Sequence, residues 1–205
     1  TEQVSKTDEQ YRGRGEIMTS AKNIDSFYKN GEIKANKISY KPTENEFLIL
    51  IDEVNASHTA LGRYTNGRIV PLAYNNDMPF GVTPRNAGQK FAQEALMASV
   101  NDAPLVILKG PAGTAKTFYS LAVALQKVVE EQEYDRILVT RPNIKFDEDI
   151  GFLKGSEEEK IAPLIRPIMD NLETLTKVYK NASSNDGISI DESKNSSTHN
   201  RTKGS

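Results

Sequence analysis

An α/β fold, with a partial parallel sheet preceded by a small β subdomain, is predicted by three observations. Leu105-Val106-Ile107-Leu108-Lys109 is a short apolar run with the composition of a buried parallel strand. A glycine-bearing loop, Gly110-Pro111-Ala112-Gly113-Thr114-Ala115-Lys116-Thr117, follows it. Next comes Phe118-Tyr119-Ser120-Leu121-Ala122-Val123-Ala124-Leu125, apolar and rich in helix formers. Strand, glycine loop, Lys-Thr and helix in this order match the phosphate-binding Walker A pattern of P-loop NTPases.

Four segments follow from a pass along the chain. Residues 1–45 read as a linker or N-terminal remnant, polar and frayed to about residue 10. Within it, Ala21 to Lys29 places Ile24, Phe27 and Tyr28 at helical spacing and closes at Asn30-Gly31. Residues 46–82 read as the small β subdomain, with strands at Phe47–Ile51, Ala60–Tyr64 and Arg68–Leu72. Asn66-Gly67 is a strong two-residue hairpin signal. Residues 83–179 read as an incomplete nucleotide-binding core. Thr83-Pro84-Arg85-Asn86 opens a helix from about Ala87 to Ser99, with Ala87, Phe91, Ala95 and Leu96 apolar. The helix after the loop ends near Glu131, and Arg136–Thr140 is a second parallel strand, which makes one right-handed βαβ unit. Asp147–Leu153 is a loop. Glu157–Leu175 is a helix, interrupted or bent at Pro163 and Pro167. Residues 180–205 are rich in Asn, Ser, Thr and charge, and read as a disordered tail.

Composition narrows the class. A chain of 205 residues holds one α/β domain, or one modest domain with appendages. Its formal net charge of −2 excludes a chain-wide basic surface, though not a local basic groove. There is no cysteine, hence no disulfide framework and no thiolate zinc site. No apolar run approaches the roughly 20 residues that cross a bilayer. No signal peptide opens the chain, which begins at Thr1; a cytoplasmic fragment without a membrane partner is the expectation.

The loop's residue types fit its chemistry. Small residues let successive backbone N–H groups face the phosphates, and the new helix adds its positive end. Lys116, the candidate catalytic residue, places a point charge on the β and γ phosphates. The Thr117 hydroxyl is suited to magnesium. Ala115 stands where the pattern has glycine. If that position needs φ > 0, alanine costs roughly 1–2 kcal/mol of strain. The bland alternative is a chance glycine turn between a strand and a helix.

Further blocks form a series. Tyr11-Arg12-Gly13-Arg14-Gly15-Glu16-Ile17, Asn45-Glu46-Phe47-Leu48-Ile49-Leu50, Pro84-Arg85-Asn86-Ala87-Gly88-Gln89 and Gly110–Thr117 are followed by Thr140-Arg141-Pro142. Asp149-Ile150-Gly151-Phe152-Leu153-Lys154-Gly155 and Glu157-Glu158-Glu159-Lys160 through Pro167-Ile168-Met169-Asp170-Asn171-Leu172 continue it. In this order, from about Tyr11 to Leu175, they resemble the PhoH family, and in particular the form that joins an N-terminal PIN ribonuclease domain to a PhoH ATPase. The resemblance implies ATP and Mg²⁺ as cofactors, a parent nucleoside-triphosphate hydrolase, and RNA helicase activity associated with ribonuclease. No PIN-type acidic cluster precedes Tyr11, the family's later Asp-Glu-Ala-Gln block is absent, and Leu153-Lys154-Gly155 departs from Leu-Pro-Gly. The chain reads as a middle fragment.

Other candidates carry two readings each. Gln89 resembles the glutamine with which superfamily-one helicases read adenine, an amide being both donor and acceptor; otherwise it is a polar residue on an amphipathic helix. Asp52-Glu53 after an apolar strand spells a Walker B, yet it precedes the loop, so a plain strand end is the better reading. Arg141 and Pro142 fall where helicase-like proteins hold single-stranded nucleic acid, here RNA; the alternative is a proline-terminated strand with a solvated arginine. Asp147, Glu148 and Asp149 read as solvated loop acids. Arg166 as an arginine finger within a homo-oligomeric ring has only its charge in favour. His58 and His199 receive no role.

The expected function is ATP binding by a PhoH-like P-loop fragment. Hydrolysis needs a second carboxylate to position water and metal, and none follows the loop convincingly. A P-loop small-molecule kinase is the rival enzyme, disfavoured because the region after the Walker helix lacks an arginine-rich lid. A non-hydrolysing RNA-binding or assembly module, with the loop degraded through Ala115, is the third reading.

Overall fold

The computed structural model describes residues 13–140 and 157–185, the side chains of 157–164 and of Asn185 excepted. The described residues are mixed α/β, with a five-stranded sheet and four α-helices among them. It divides into two compact units, one taking residues up to Asp77 and Pro84–Lys109, the other Met78–Thr83 and the residues from Gly110 onward.

In the first unit, β1 (Arg14–Thr19), α1 (Ala21–Asn30), β2 (Ile33–Lys34), β3 (Phe47–Asp52), β4 (Thr59–Thr65) and β5 (Arg68–Pro71) form one layer of sheet and a helix. The sheet order is β1-β3-β4-β5-β2. β1 runs parallel to β3, with Ile17 opposite Leu50, and the other pairings are antiparallel. The strict alternation of Phe47-Leu48-Ile49-Leu50 sends Leu48 and Leu50 to one face. There they meet Ile17, Ile33, Ala60 and Ile69 and the α1 residues Ile24 and Phe27, all buried. Gly31 closes α1, its N–H returning to Phe27 O at 3.0 Å. Asn66 (φ 49°) and Gly67 (φ 76°) both take left-handed backbone, the requirement of the tight hairpin predicted between β4 and β5.

Two corrections concern this unit. Arg14–Thr19, assigned by sequence to a linker, is a strand of the sheet. Only Ile17 and Thr19 are buried in it, so its alternation is too sparse to register as a strand signal. The run Leu105–Lys109, expected as the strand before the loop, is paired with no strand among the described residues. Leu105 and Ile107 are 77% and 80% exposed, the reverse of a buried parallel strand.

α2 (Ala87–Met97) closes the first unit. Asn86 caps it, its Oδ1 accepting from Gln89 N at 3.0 Å. Buried Glu94 accepts from the N–H groups of Ala73 (2.9 Å) and Tyr74 (2.8 Å), so α2 staples the chain that leaves β5. Phe91 stacks on Phe47 with centroids 4.9 Å apart.

The second unit holds α3 (Lys116–Leu125), a π-helical turn over Gln126–Glu130, and α4 (Glu157–Asn185). Tyr119, Leu121, Ala122 and Val123 are all buried, the mark of an interior helix rather than a surface one. Here too the expected sheet is missing. Arg136–Thr140 pairs with no strand among the described residues, and Leu138 is 80% exposed, so the parallel P-loop sheet and its βαβ unit are not formed in them. A parallel strand gains its stability from neighbours on both edges and helices on both faces, and these two runs have no strand neighbour here.

α4 also departs from expectation. It runs unbroken through Pro163 and Pro167 and past Lys180 to Asn185. The two prolines stand one helical turn apart, so their missing donors fall on one face. Pro167 is exposed on that face. The expected frayed start, the loop Asp147–Leu153 and the tail beyond Asn185 lie outside the described residues.

Candidate nucleotide site

The loop Gly110–Thr117 is compact and closed by its own lysine. Lys116 opens α3, and its Nζ turns back to donate to Gly110 O (2.9 Å) and Pro111 O (2.7 Å). Thr114 Oγ1 lies 3.2 Å from the same ammonium and donates to Pro111 O at 2.9 Å. One cation thus gathers the Gly110 and Pro111 carbonyls of the bend.

Backbone geometry makes the bend. Gly113 (φ 78°) and Ala115 (φ 63°, ψ 22°) both lie in the left-handed region. For Gly113 this is free of penalty, and for Ala115 it costs roughly 1–2 kcal/mol. The strain anticipated at the substituted glycine position is therefore present. Ala115 is the residue just before α3, its carbonyl accepting the Tyr119 N–H at 2.9 Å. A left-handed residue directly before a helix turns the incoming N–H groups toward a common point, the geometry of an anion nest. Thr117 is exposed on the first turn of α3, and Gly110, Pro111, Ala112 and Gly113 are exposed beside it.

Gln89 belongs to the other unit and already has a local task. Its Oε1 accepts the Arg85 N–H at 2.8 Å while its own N–H is held by Asn86. The two bonds resemble a capping box at the start of α2, with the Gln89 side chain reaching the N–H one residue before the cap. Its Nε2 has no partner among the described residues, so half of the amide is committed and half is open.

The remaining candidates separate clearly. Arg141 and Pro142 lie outside the described residues, as do Asp147, Glu148 and Asp149. Arg166 is exposed on α4. Asp52, of the Walker B look-alike, is 5% exposed and locks the β3–β4 turn. It accepts from Val54 N at 3.0 Å and faces His58 Nδ1 at 3.1 Å. The Val54 N–H first, and then His58, hold its carboxyl below the ordinary value. His58, given no role by sequence, also reaches Asp25 of α1 at 3.5 Å. The available signal was Asp52 and His58 flanking a short polar turn.

The profile describing PhoH-like proteins matches residues 81–195, which is more than half of the chain. The chain belongs to the PhoH family. Protein PhoH2 of Bacillus subtilis is 34% identical over 184 residues, covering 87% of this chain and 41% of that protein. Protein PhoH2 of Mycolicibacterium smegmatis is 31% identical over 166 residues, 80% of this chain and 37% of its own length. Protein PhoH of Escherichia coli K12 is 41% identical over 81 residues, 40% of this chain and 23% of its own. The chain thus spans about two fifths of the PhoH2 relatives it matches. No solved structure matches it. Among the described residues no helix is long and apolar enough to cross a membrane.

Proposed function

We propose that this PhoH-family chain binds Mg·ATP through Gly110–Thr117, as part of a parent that couples ATP hydrolysis to work on RNA. The observation that carries the reading is Lys116. At the first turn of α3 its ammonium folds back onto a bend that holds two left-handed residues, Gly113 and Ala115. In this reading Lys116 and the N–H groups of Gly110, Ala112, Gly113, Thr114 and Ala115 take the phosphates, and Pro111, which has no N–H to donate, shapes the bend. The Thr117 hydroxyl takes magnesium, whose contribution is to neutralise charge on the transferred phosphoryl group. Gln89 is assigned to adenine by family resemblance, and its Oε1 would have to leave Arg85 N to read both edges of the base. Arg141 and Pro142 are assigned to single-stranded RNA by family resemblance.

Binding and turnover are separable here. A phosphoryl-transfer site also needs a carboxylate to position water and metal. The look-alike pair Asp52-Glu53 spends its buried carboxylate on a turn in the first unit. We therefore expect residues 1–205 to bind Mg·ATP without appreciable hydrolysis. Titration with a fluorescent ATP analogue should give saturable binding, weakened by about 100-fold or more (about 2.7 kcal/mol) in Lys116→Ala. Absence of binding at millimolar nucleotide sinks the reading. Steady ATP turnover abolished by Lys116→Ala would remove the separation of binding from catalysis.

A further inference from the structure

The end of α3 remote from the phosphate loop does not finish as an α-helix. Its last turn widens to π geometry over Gln126–Glu130, a rare form that calls for a local cause. Two side chains of the turn reach other elements, while Lys127 pairs locally with Glu133 at 3.3 Å. Gln126 Oε1 accepts the backbone N–H of Phe80 at 2.9 Å, and Glu130 Oε1 accepts the Tyr179 hydroxyl of α4 at 2.5 Å. Phe80 and Tyr179 stack on each other, centroids 4.3 Å and planes 12° apart.

Phe80 is itself strained. It sits at φ 49°, ψ 39°, where a bulky side chain is an outlier, and it is buried. The adjoining Gly81 lies close under α4: a Cβ placed there would stand 3.1 Å from the Ala182 Cβ. The hydrogen bond to Glu130, followed by burial, pushes the Tyr179 phenol above its ordinary value. A strained backbone, a widened turn and an aromatic stack therefore meet at one tyrosine, all inside the second unit.

We propose that the Gln126–Glu130 turn is a conformational latch, and that nucleotide at the loop changes its hold on Tyr179 and so on α4. The proposal rests on the ATP reading above. A phosphate would draw Lys116 Nζ away from the Gly110 and Pro111 carbonyls that now hold it. Lys116 is the first residue of α3, whose 10 residues run directly into the Gln126–Glu130 turn. A displacement of the first turn reaches the last. Return of that turn to α geometry would rotate Glu130 about the axis relative to Gln126, so the bonds to Phe80 and Tyr179 cannot both survive both forms.

The test is amide hydrogen exchange on the full chain with and without saturating Mg·ATP, beside a direct ATP titration. Tyr179→Phe is the paired variant, since it keeps the stack and removes only the hydroxyl. Expected are nucleotide-dependent exchange in Gln126–Gln132 and Lys177–Ala182, faster exchange of the turn in nucleotide-free Tyr179→Phe, and an ATP affinity in that variant changed about fivefold or more, the low end of ordinary coupling. ATP binding with exchange unchanged in both segments overturns the latch and leaves the nucleotide reading standing. Tyr179→Phe with wild-type affinity and exchange also overturns it, and no ATP binding overturns both.

Discussion

Two left-handed bends of this chain, the Asn66-Gly67 hairpin turn and the Gly113–Ala115 loop, are built from the same backbone region for different ends. The hairpin fills both positions with residue types that tolerate φ > 0, so the turn is relaxed and serves β4 and β5. The loop puts alanine at one of them and accepts strain. The same contrast runs through the units that carry them. In the first, a five-stranded sheet and α1 enclose one apolar cluster with Leu48, Leu50, Ile24 and Ile69 fully buried. In the second, Phe80 and Ala115 both occupy left-handed backbone and the final turn of α3 is widened. Strain gathers in the unit that carries the proposed site, at the loop and at the far end of α3 alike, and is low in the sheet that only folds.

The largest expected effect breaks the relaxed side of that comparison. Gly62 of β4 has no room for a side chain: a Cβ would stand 2.6 Å from Ile69 Cγ2 and 2.9 Å from the Val70 carbonyl oxygen. The second of these is backbone and cannot rotate away. Gly62→Ala should therefore cost about 1–3 kcal/mol of stability by overpacking. Urea denaturation should show a lower midpoint, while ATP affinity measured below the transition stays at the wild-type value. Loss of affinity in a folded Gly62→Ala protein would mean that the sheet and the loop are not separable in function.

A smaller effect tests the lock on the β3–β4 turn by pH. The Val54 N–H and His58 lower the Asp52 carboxyl, whose ordinary value is 3.8. A depressed carboxyl contributes stability above its ordinary value and loses it as pH falls through the lowered one. The wild-type melting temperature should therefore drop on acidification below about pH 4. In Asp52→Asn part of that drop should vanish, the variant starting from a lower plateau at neutral pH. Parallel acid profiles for the two proteins would show that Asp52 carries none of the dependence.

Legibility in the sequence followed how local each cause is. The hairpin, the Asn86 cap and the strand Phe47–Asp52 depend on neighbours in the chain, and residue type declares them. β1 does not, because it is held by pairing with β3 and buries only Ile17 and Thr19. The opposite error has the same root. Leu105–Lys109 and Arg136–Thr140 have strand composition, but a parallel strand exists only beside partners, and none pairs with them among the described residues. In the site, the positive φ of Ala115 followed from a spacing rule. The commitment of Gln89 Oε1 to Arg85, and the meeting of Gln126, Phe80 and Tyr179, depend on tertiary placement that no spacing encodes.

The smallest effect sharpens the comparison at the loop itself, with two exchanges of one methyl group in opposite directions. Ala115→Gly relieves left-handed strain of roughly 1–2 kcal/mol and adds unfolded-chain entropy worth about 0.4–1 kcal/mol, for a net gain near 1 kcal/mol or less. Gly113→Ala does the reverse at φ 78°, where an added Cβ would meet nothing within 4 Å, so any loss is backbone strain and not a clash. If the left-handed bend is what presents the amides to phosphate, ATP affinity should rise a few-fold in the first variant and fall in the second. Stability measured without nucleotide should move the same way. A rise in stability with a fall in affinity for Ala115→Gly would instead mean that the strained alanine holds the loop ready for its ligand, and that glycine lets it relax elsewhere. Either outcome ties Ala115 to the site, whereas equal affinities for all three proteins would show that the bend, though formed, is not what grips the nucleotide.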